Sequence, residues 1–205
     1  MSVSTFGKTN PFVDFGTPII GTRFIGRKNE LGHILGRVFG GGAFGSIAVV
    51  GLPRVGKTSL VHETLHRAES RLSELRCTIV WANIGEFKSL SDLFKQLIED
   101  LDEKLKERNL LTDEVSTKIH RILNRGTIEF NGFRKILQSL RRAKLRPVFI
   151  LDEFDAGRRL FKNTPQYFHW LREWCSDPKY KAAVILISKR RLQDISRLAG
   201  LDSGY

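Results

Sequence analysis

Gly51-Leu52-Pro53-Arg54-Val55-Gly56-Lys57-Thr58 spells G-x-x-x-x-G-K-T, and its setting gives the pattern its meaning. An apolar run, Ile47-Ala48-Val49-Val50, stands before it, and a helix-like stretch from Ser59 to Arg71 follows. A strand that feeds a glycine-rich turn into a helix aims successive backbone N–H groups at one point, where they cradle a polyphosphate. Gly51 and Gly56 allow the backbone conformations and the close approach that a side chain would block. In such a loop Lys57 reaches the β- and γ-phosphates and the Thr58 hydroxyl holds Mg²⁺. The stretch therefore predicts a nucleoside triphosphate site, with Pro53, Arg54, Val55, Gly56, Lys57, Thr58 and Ser59 lining it.

Outward from the loop, strand-like and helix-like segments alternate. Upstream, Leu31, Ile34, Leu35 and Val38 recur at helical spacing over residues 27–39, and Gly40, Gly41 and Gly42 end that helix. Ser46–Val50 is the first strand, Cys77–Asn83 the second, Pro147–Leu151 the third and Ala182–Ile187 the fourth. Between them Leu60, Val61 and Leu65 give the post-loop helix a buried face. The series Leu90, Leu93, Phe94, Leu97, Ile98, Leu101, Leu105 marks a long amphipathic helix. Two more helical regions fall near Thr112–Leu123 and Gly132–Leu145, separated by Gly126 and the Asn131-Gly132 pair. Tyr167, Leu171 and Trp174 mark another, and a short helix runs from Leu192 to Leu198. Strands alternating with helices predict an α/β layer fold around a parallel sheet. Residues 1–22, with Asn10-Pro11-Phe12 and Gly16-Thr17-Pro18 as breakers, read as an extended lead-in, and 23–205 as the domain proper.

The third strand runs straight into Asp152-Glu153-Phe154-Asp155. A carboxylate at the end of a buried strand facing the phosphate loop is the usual partner of Mg²⁺, and Asp152 fits that place. Glu153, one residue on, is placed to orient and polarise an attacking water as a general base. Asp155 fits a turn or capping role as well as a catalytic one. Ser188, at the end of the fourth strand, is the candidate polar sensor of the γ-phosphate or the water. Lys189 or Arg190 beside it would supply positive charge to the transition state.

The bulk composition narrows the class. The 205 residues suffice for one well-buried domain, and 41% hydrophobic with 27% charged residues is a soluble globular balance. No apolar run approaches a membrane span, and the N-terminus lacks the apolar core of a secretory signal, so the cytoplasm is the expected compartment. Cys77 and Cys175 form no metal or redox spacing. The formal charge is +12, with clusters at Arg141-Arg142-Lys144-Arg146, Arg158-Arg159 and Lys189-Arg190-Arg191. These clusters read either as solvated faces and nucleotide-pocket charges or as a surface for a polyanion or acidic partner.

With these residues placed, the chain resembles the AAA+ and STAND ATPases. Phe24-Ile25-Gly26-Arg27-Lys28-Asn29-Glu30-Leu31 is similar to the F-x-G-R-x-x-E-L box that precedes their phosphate loop. Gly51–Leu60 resembles their G-x-P-R-x-G-K-T-S-L loop, and Phe149–Glu153 their Walker B strand. The resemblance implies an additional-strand, three-layer P-loop fold with the sensor strand between the P-loop and Walker B strands. It implies ATP with Mg²⁺ as ligands and adenine against Phe24, Ile25 and Gly26. It also implies a further strand and a helical lid beyond the end of this chain, hence a C-terminally truncated domain. The family's sensor often reads Thr-Thr-Arg or Ser-Arg, whereas here Lys189 follows Ser188.

Three functions fit. The first is a STAND-like ATP-hydrolysing switch that couples nucleotide state to assembly or signalling, antiviral defence included, with self-assembly or a protein partner. The second is a nucleic-acid-associated AAA+ ATPase of initiator or loader type. If the second holds, charge reversal at Arg141 and Arg142, or at Arg190 and Arg191, weakens DNA binding. The third is a module that binds ATP and scarcely turns it over, which would have no need of Glu153.

Overall fold

The computed structural model describes residues 16–40, 45–161 and 166–198. Among them, strands β1 (Ile47–Val50), β2 (Cys77–Asn83), β3 (Arg146–Asp152) and β4 (Ala183–Ser188) form one parallel sheet in the order β1-β4-β3-β2. Strand β4, the expected sensor strand, thus lies between β1 and β3, the order that the resemblance implies. The expected lead-in over residues 1–15, Gly41 and Gly42, and the segment 199–205 lie outside the described residues.

The near-continuous apolar runs of β3 and β4 follow from burial on both faces, the rule for parallel sheets. Side chains alternate across a strand, so neighbouring residues of one strand enter different cores. Phe149 and Leu151 of β3, with Val184 and Leu186 of β4, join one cluster; Val148, Ile150, Ile185 and Ile187 join the other. The first cluster is covered by α3 (Leu90–Glu107), α4 (Asp113–Leu123), α5 (Phe130–Arg142) and α7 (Gln166–Ser176). The second is covered by α1 (Lys28–Phe39) and α2 (Lys57–Glu74). Three layers result. Two short helices, α6 (Arg158–Phe161) and α8 (Leu192–Leu198), follow the ends of β3 and β4.

Local signals set the helix starts. Ser89 accepts from the Asp92 N–H at 3.1 Å at the head of α3, and Thr112 accepts from the Val115 N–H at 3.4 Å at the head of α4. One boundary differs from the sequence reading. Asn131 and Gly132 do not separate α4 from α5 but sit in the first turn of α5, and Gly126, at φ 74°, is the break. Gly132 serves close packing instead, since a Cβ there would fall 3.3 Å from Ile122 of α4.

The strand register aligns the functional ends. Val50 pairs with Ser188 and Asn83 with Asp152, so the C-terminal ends of all four strands share one edge of the sheet. Open α/β sheets bind ligands at that edge.

Candidate nucleotide-binding site

The loop after β1 turns through two left-handed residues, Arg54 at φ 60° and Gly56 at φ 79°, and α2 begins directly at Lys57. Its start is anchored to β4, because the Gly51 N–H donates to the Ser188 carbonyl at 3.2 Å. From above, the Arg27 guanidinium donates to the Val55 carbonyl, which ties the Phe24–Leu31 box to the loop. Lys57 folds over the loop, its Nζ 2.9 Å from the Gly51 carbonyl and 2.8 Å from that of Leu52. Burial holds the Lys57 ammonium below the usual lysine range; Asp152 and Asp155 oppose that, while Lys189 and Arg27 add to it. The charges that act on Lys57 therefore come from the end of β3 and the turn after it, the loop after β4 and the upstream box.

Thr58 Oγ1 donates to Asp152 Oδ2 at 3.1 Å, so the two expected metal ligands meet. Asp152 Oδ1 accepts from the Glu153 N–H at 2.7 Å, which turns the carboxylate towards the loop. Glu153 is exposed and stands in the left-handed region at φ 49°, a conformation that costs an L-residue roughly 1–2 kcal/mol. Its Oε2 lies 3.1 Å from the point a Cβ on Gly85 would occupy, and Asn83 Oδ1 lies 3.3 Å from that same point. Ser188 is buried, and its Oγ accepts from the Arg190 N–H at 3.1 Å. Asp155 Oδ1 accepts from the Lys189 N–H at 3.0 Å, a capping bond between two loops.

The remaining expected residues spread more widely. Ser59 Oγ accepts from the Ile19 N–H at 3.1 Å, and Pro53, Arg54 and Val55 form the exposed crest of the loop. Phe24 packs partly against the α1–α2 core, whereas Ile25 is 89% exposed and Gly26 is open. Three neighbours were not singled out from the sequence: Asn83, Glu63 and His62. Asn83 carries a readable signal, a polar residue ending an apolar strand in register with Asp152. Glu63 is only 1% exposed and accepts from the Gly21 N–H at 2.6 Å, which pins the turn Gly21–Arg23 to α2. His62 stacks on Trp81 with centroids 4.4 Å apart; burial lowers its pKa, against the pull of Asp152.

Several clustered cations are already engaged. Arg141 donates to the Lys179 carbonyl at 2.8 Å, and Arg142 lies 3.6 Å from Glu114. Among the described residues no helix is long and apolar enough to cross a membrane.

Residues 43–195 match the family model described as "AAA domain". Solved structures share the fold. The Aeropyrum pernix ORC1 protein in complex with DNA is 16% identical with a TM-score of 0.57, over 84% of this chain and 40% of that one. Cdc6p from Pyrobaculum aerophilum is 15% identical with a TM-score of 0.53, over 91% and 46%. The Aeropyrum pernix ORC2 protein in its ADPNP–ADP complexes is 16% identical with a TM-score of 0.58, over 89% and 48%. The chain thus spans less than half the length of these structures, and no curated protein matches it. The family match covers most of the chain and all four strands with the phosphate loop, so this protein belongs to the AAA-domain family of P-loop nucleoside triphosphatases.

Proposed function

We propose that this domain binds ATP with Mg²⁺, hydrolyses it, and acts as the nucleotide switch of a nucleic-acid-associated protein of initiator type. The observation that carries the hydrolytic half is the 3.1 Å contact between Thr58 and Asp152, with Glu153 next in the chain. Two oxygen donors at one point suit a hard cation. Among the described residues no group of three or more His, Cys, Asp or Glu side chains forms a metal cage. That fits Mg²⁺, which keeps several waters and takes its other ligands from phosphates. Once bound there by Thr58 and Asp152, it would neutralise charge on the β- and γ-phosphate oxygens.

The protein's own groups divide the rest of the work. The loop N–H groups and the N-terminus of α2 cradle the polyphosphate. Lys57 exchanges the Gly51 and Leu52 carbonyls for phosphate oxygens, because hydrogen bonds to an anion are the stronger kind. Glu153 accepts the proton of the attacking water, and Ser188 with Lys189 orients the γ-phosphate side. Phe24, Ile25 and Gly26 offer the surface for adenine.

The nucleic-acid reading is favoured over signalling or defence because the similar solved structures include ORC1, Cdc6p and ORC2 proteins, the first of them in complex with DNA. Steady-state ATP turnover of wild type beside Glu153→Gln, with and without duplex DNA, tests both halves. Turnover that needs Glu153 and rises with DNA is expected. Turnover that needs Glu153 but ignores DNA would return the signalling switch to the front. Equal turnover in both proteins would end the hydrolytic reading.

A further inference from the structure

Two short segments meet at the C-terminal edge of the sheet. After β3 come the turn Phe154–Gly157 and α6; after β4 come Lys189, Arg190, Arg191 and α8. The turn packs on β4, α6 packs on α8, and the Asp155–Lys189 hydrogen bond at 3.0 Å joins the two connections. Together they present Arg158, Arg159, Lys189, Arg190, Arg191 and Arg197, all exposed. Among the described residues none of these six side chains has an ion pair or a hydrogen bond. The carboxylates on these connections beyond Asp152 and Glu153 are Asp155, occupied by the Lys189 N–H, and Asp194.

Four cations of α5 and of the segment before β4 are engaged instead. On α5 the guanidinium groups of Arg134 and Arg142 face Glu173 and Glu114, and Arg141 is held by a carbonyl. Lys179 is shared by Glu173 and Asp177. Uncompensated positive charge costs self-repulsion and is relieved by a polyanion, whose released counterions make binding favourable and salt-dependent. A second copy of this chain does not supply that, because each copy carries a net charge of +12.

We propose that the rim formed by Arg158, Arg159, Lys189, Arg190, Arg191 and Arg197 docks the phosphate backbone of a nucleic acid. The rim belongs to the two connections that begin at Glu153 and directly after Ser188, so a docked backbone bears on the hydrolytic edge directly. The proposal rests on the nucleic-acid reading above and locates it.

The test is fluorescence anisotropy of a labelled 30-base-pair DNA duplex with the full 205-residue chain, titrated across salt. The rim variant carries Arg158→Gln, Arg159→Gln and Arg191→Gln, which spares Lys189 and Arg190 beside the sensor. The control carries Lys118→Gln, Arg121→Gln and Lys135→Gln on α4 and α5. Expected is at least a tenfold loss of affinity in the rim variant at about 100 mM salt. Its slope of log affinity against log salt should fall by up to about 3, from about 0.9 per lost phosphate contact. The control should bind as wild type does. If the control loses affinity and the rim variant does not, or both lose it equally, the rim is wrong while nucleic-acid binding stands. If wild type fails to bind at low salt, both fall. Displacement of the duplex by polyglutamate at equal charge concentration would overturn the assignment in favour of an acidic protein partner. Should the triple variant unfold, the pair Arg158→Gln with Arg159→Gln is read instead, and an affinity equal to wild type overturns the proposal. ATP turnover is scored separately, so loss of the hydrolytic reading does not disturb the binding result.

Discussion

Thr58 Oγ1 and Asp152 Oδ2 stand 3.1 Å apart although 94 residues separate them, and their hydrogen bond closes the phosphate loop onto the end of β3. It places a hydroxyl and a carboxylate on one point of the strand edge. Thr58→Ala removes one of the two oxygen donors, and Asp152→Asn keeps the shape but removes the charge. Either substitution is expected to lower Mg²⁺-dependent ATP turnover by about 100-fold or more, the scale on which lost charge stabilisation is felt. Thr58→Ser keeps the hydroxyl and should retain most of the activity. Chelation of divalent cations should stop wild-type turnover without changing the far-ultraviolet circular dichroism. Full turnover by Thr58→Ala would show that the pair has no part in the reaction.

Gly85 bounds the space of the Glu153 carboxylate. A Cβ there would lie 3.1 Å from Glu153 Oε2 and 3.3 Å from Asn83 Oδ1, both tighter than ordinary contact. The Asn83 side chain is held in place by the Gly85 N–H at 3.0 Å, so the glutamate is the freer of the two and should shift. Gly85→Ala is therefore expected to lower turnover about tenfold while leaving the affinity for ATP unchanged, since small misplacements of a reacting group are costly. Isothermal titration with a non-hydrolysable analogue beside steady-state kinetics separates the two. Equal losses in binding and turnover would mean the loop itself had moved.

Much of this arrangement was legible in the sequence because it is local. The G-x-x-x-x-G-K-T loop, the apolar run ending in Asp152-Glu153, and Ser188 after the fourth strand each carry their pattern within a few residues. What was not legible depends on partners far along the chain. Glu63 carries no local signal of its role: it is 1% exposed and accepts from the Gly21 N–H, 42 residues away. Arg141 and Arg142 read either as a solvated face or as a surface for a polyanion, and in the fold the Lys179 carbonyl and the Glu114 carboxylate engage them. Asn131-Gly132 reads as a break because both residues favour turns, whereas the tight seat under Ile122 takes the glycine into a helix. Side-chain identity gives the local pattern, and packing decides which charges remain to be used.

Glu63 also makes the attachment of the Gly21–Arg23 turn sensitive to pH. Burial pushes its carboxyl up, but the Arg67 guanidinium and the Gly21 N–H outweigh that and hold it below the usual carboxylate range. A depressed folded value contributes stability that is present above the unfolded value of about 4.3 and is lost as pH falls through the folded one. Glu63→Gln is expected to cost about 2 kcal/mol at neutral pH, roughly 4–8 °C in Tm at this chain length. The difference from wild type should shrink as pH falls below the unfolded value and through the lower, folded one. Thermal melts of both proteins over that range check it; a difference that stays constant with pH would show that shape, not charge, holds the turn.

Thr78 offers a test of the core in which the polar group is the weak point. It is 1% exposed on β2, and among the described residues its Oγ1 has no hydrogen-bond partner. An unsatisfied buried hydroxyl costs about 1–3 kcal/mol, and valine has nearly the same shape without the desolvation penalty. Thr78 shares its face of β2 with Val80 and Ala82, which pack in the α3 core, so a methyl in place of the hydroxyl meets apolar neighbours. Thr78→Val should therefore raise stability by about 1 kcal/mol, read as a higher denaturation midpoint in urea at unchanged slope. ATP turnover should stay at the wild-type level, because Thr78 lies at the opposite end of β2 from Asn83 and the nucleotide edge. A loss of stability would mean that the hydroxyl is satisfied in solution by an ordered water.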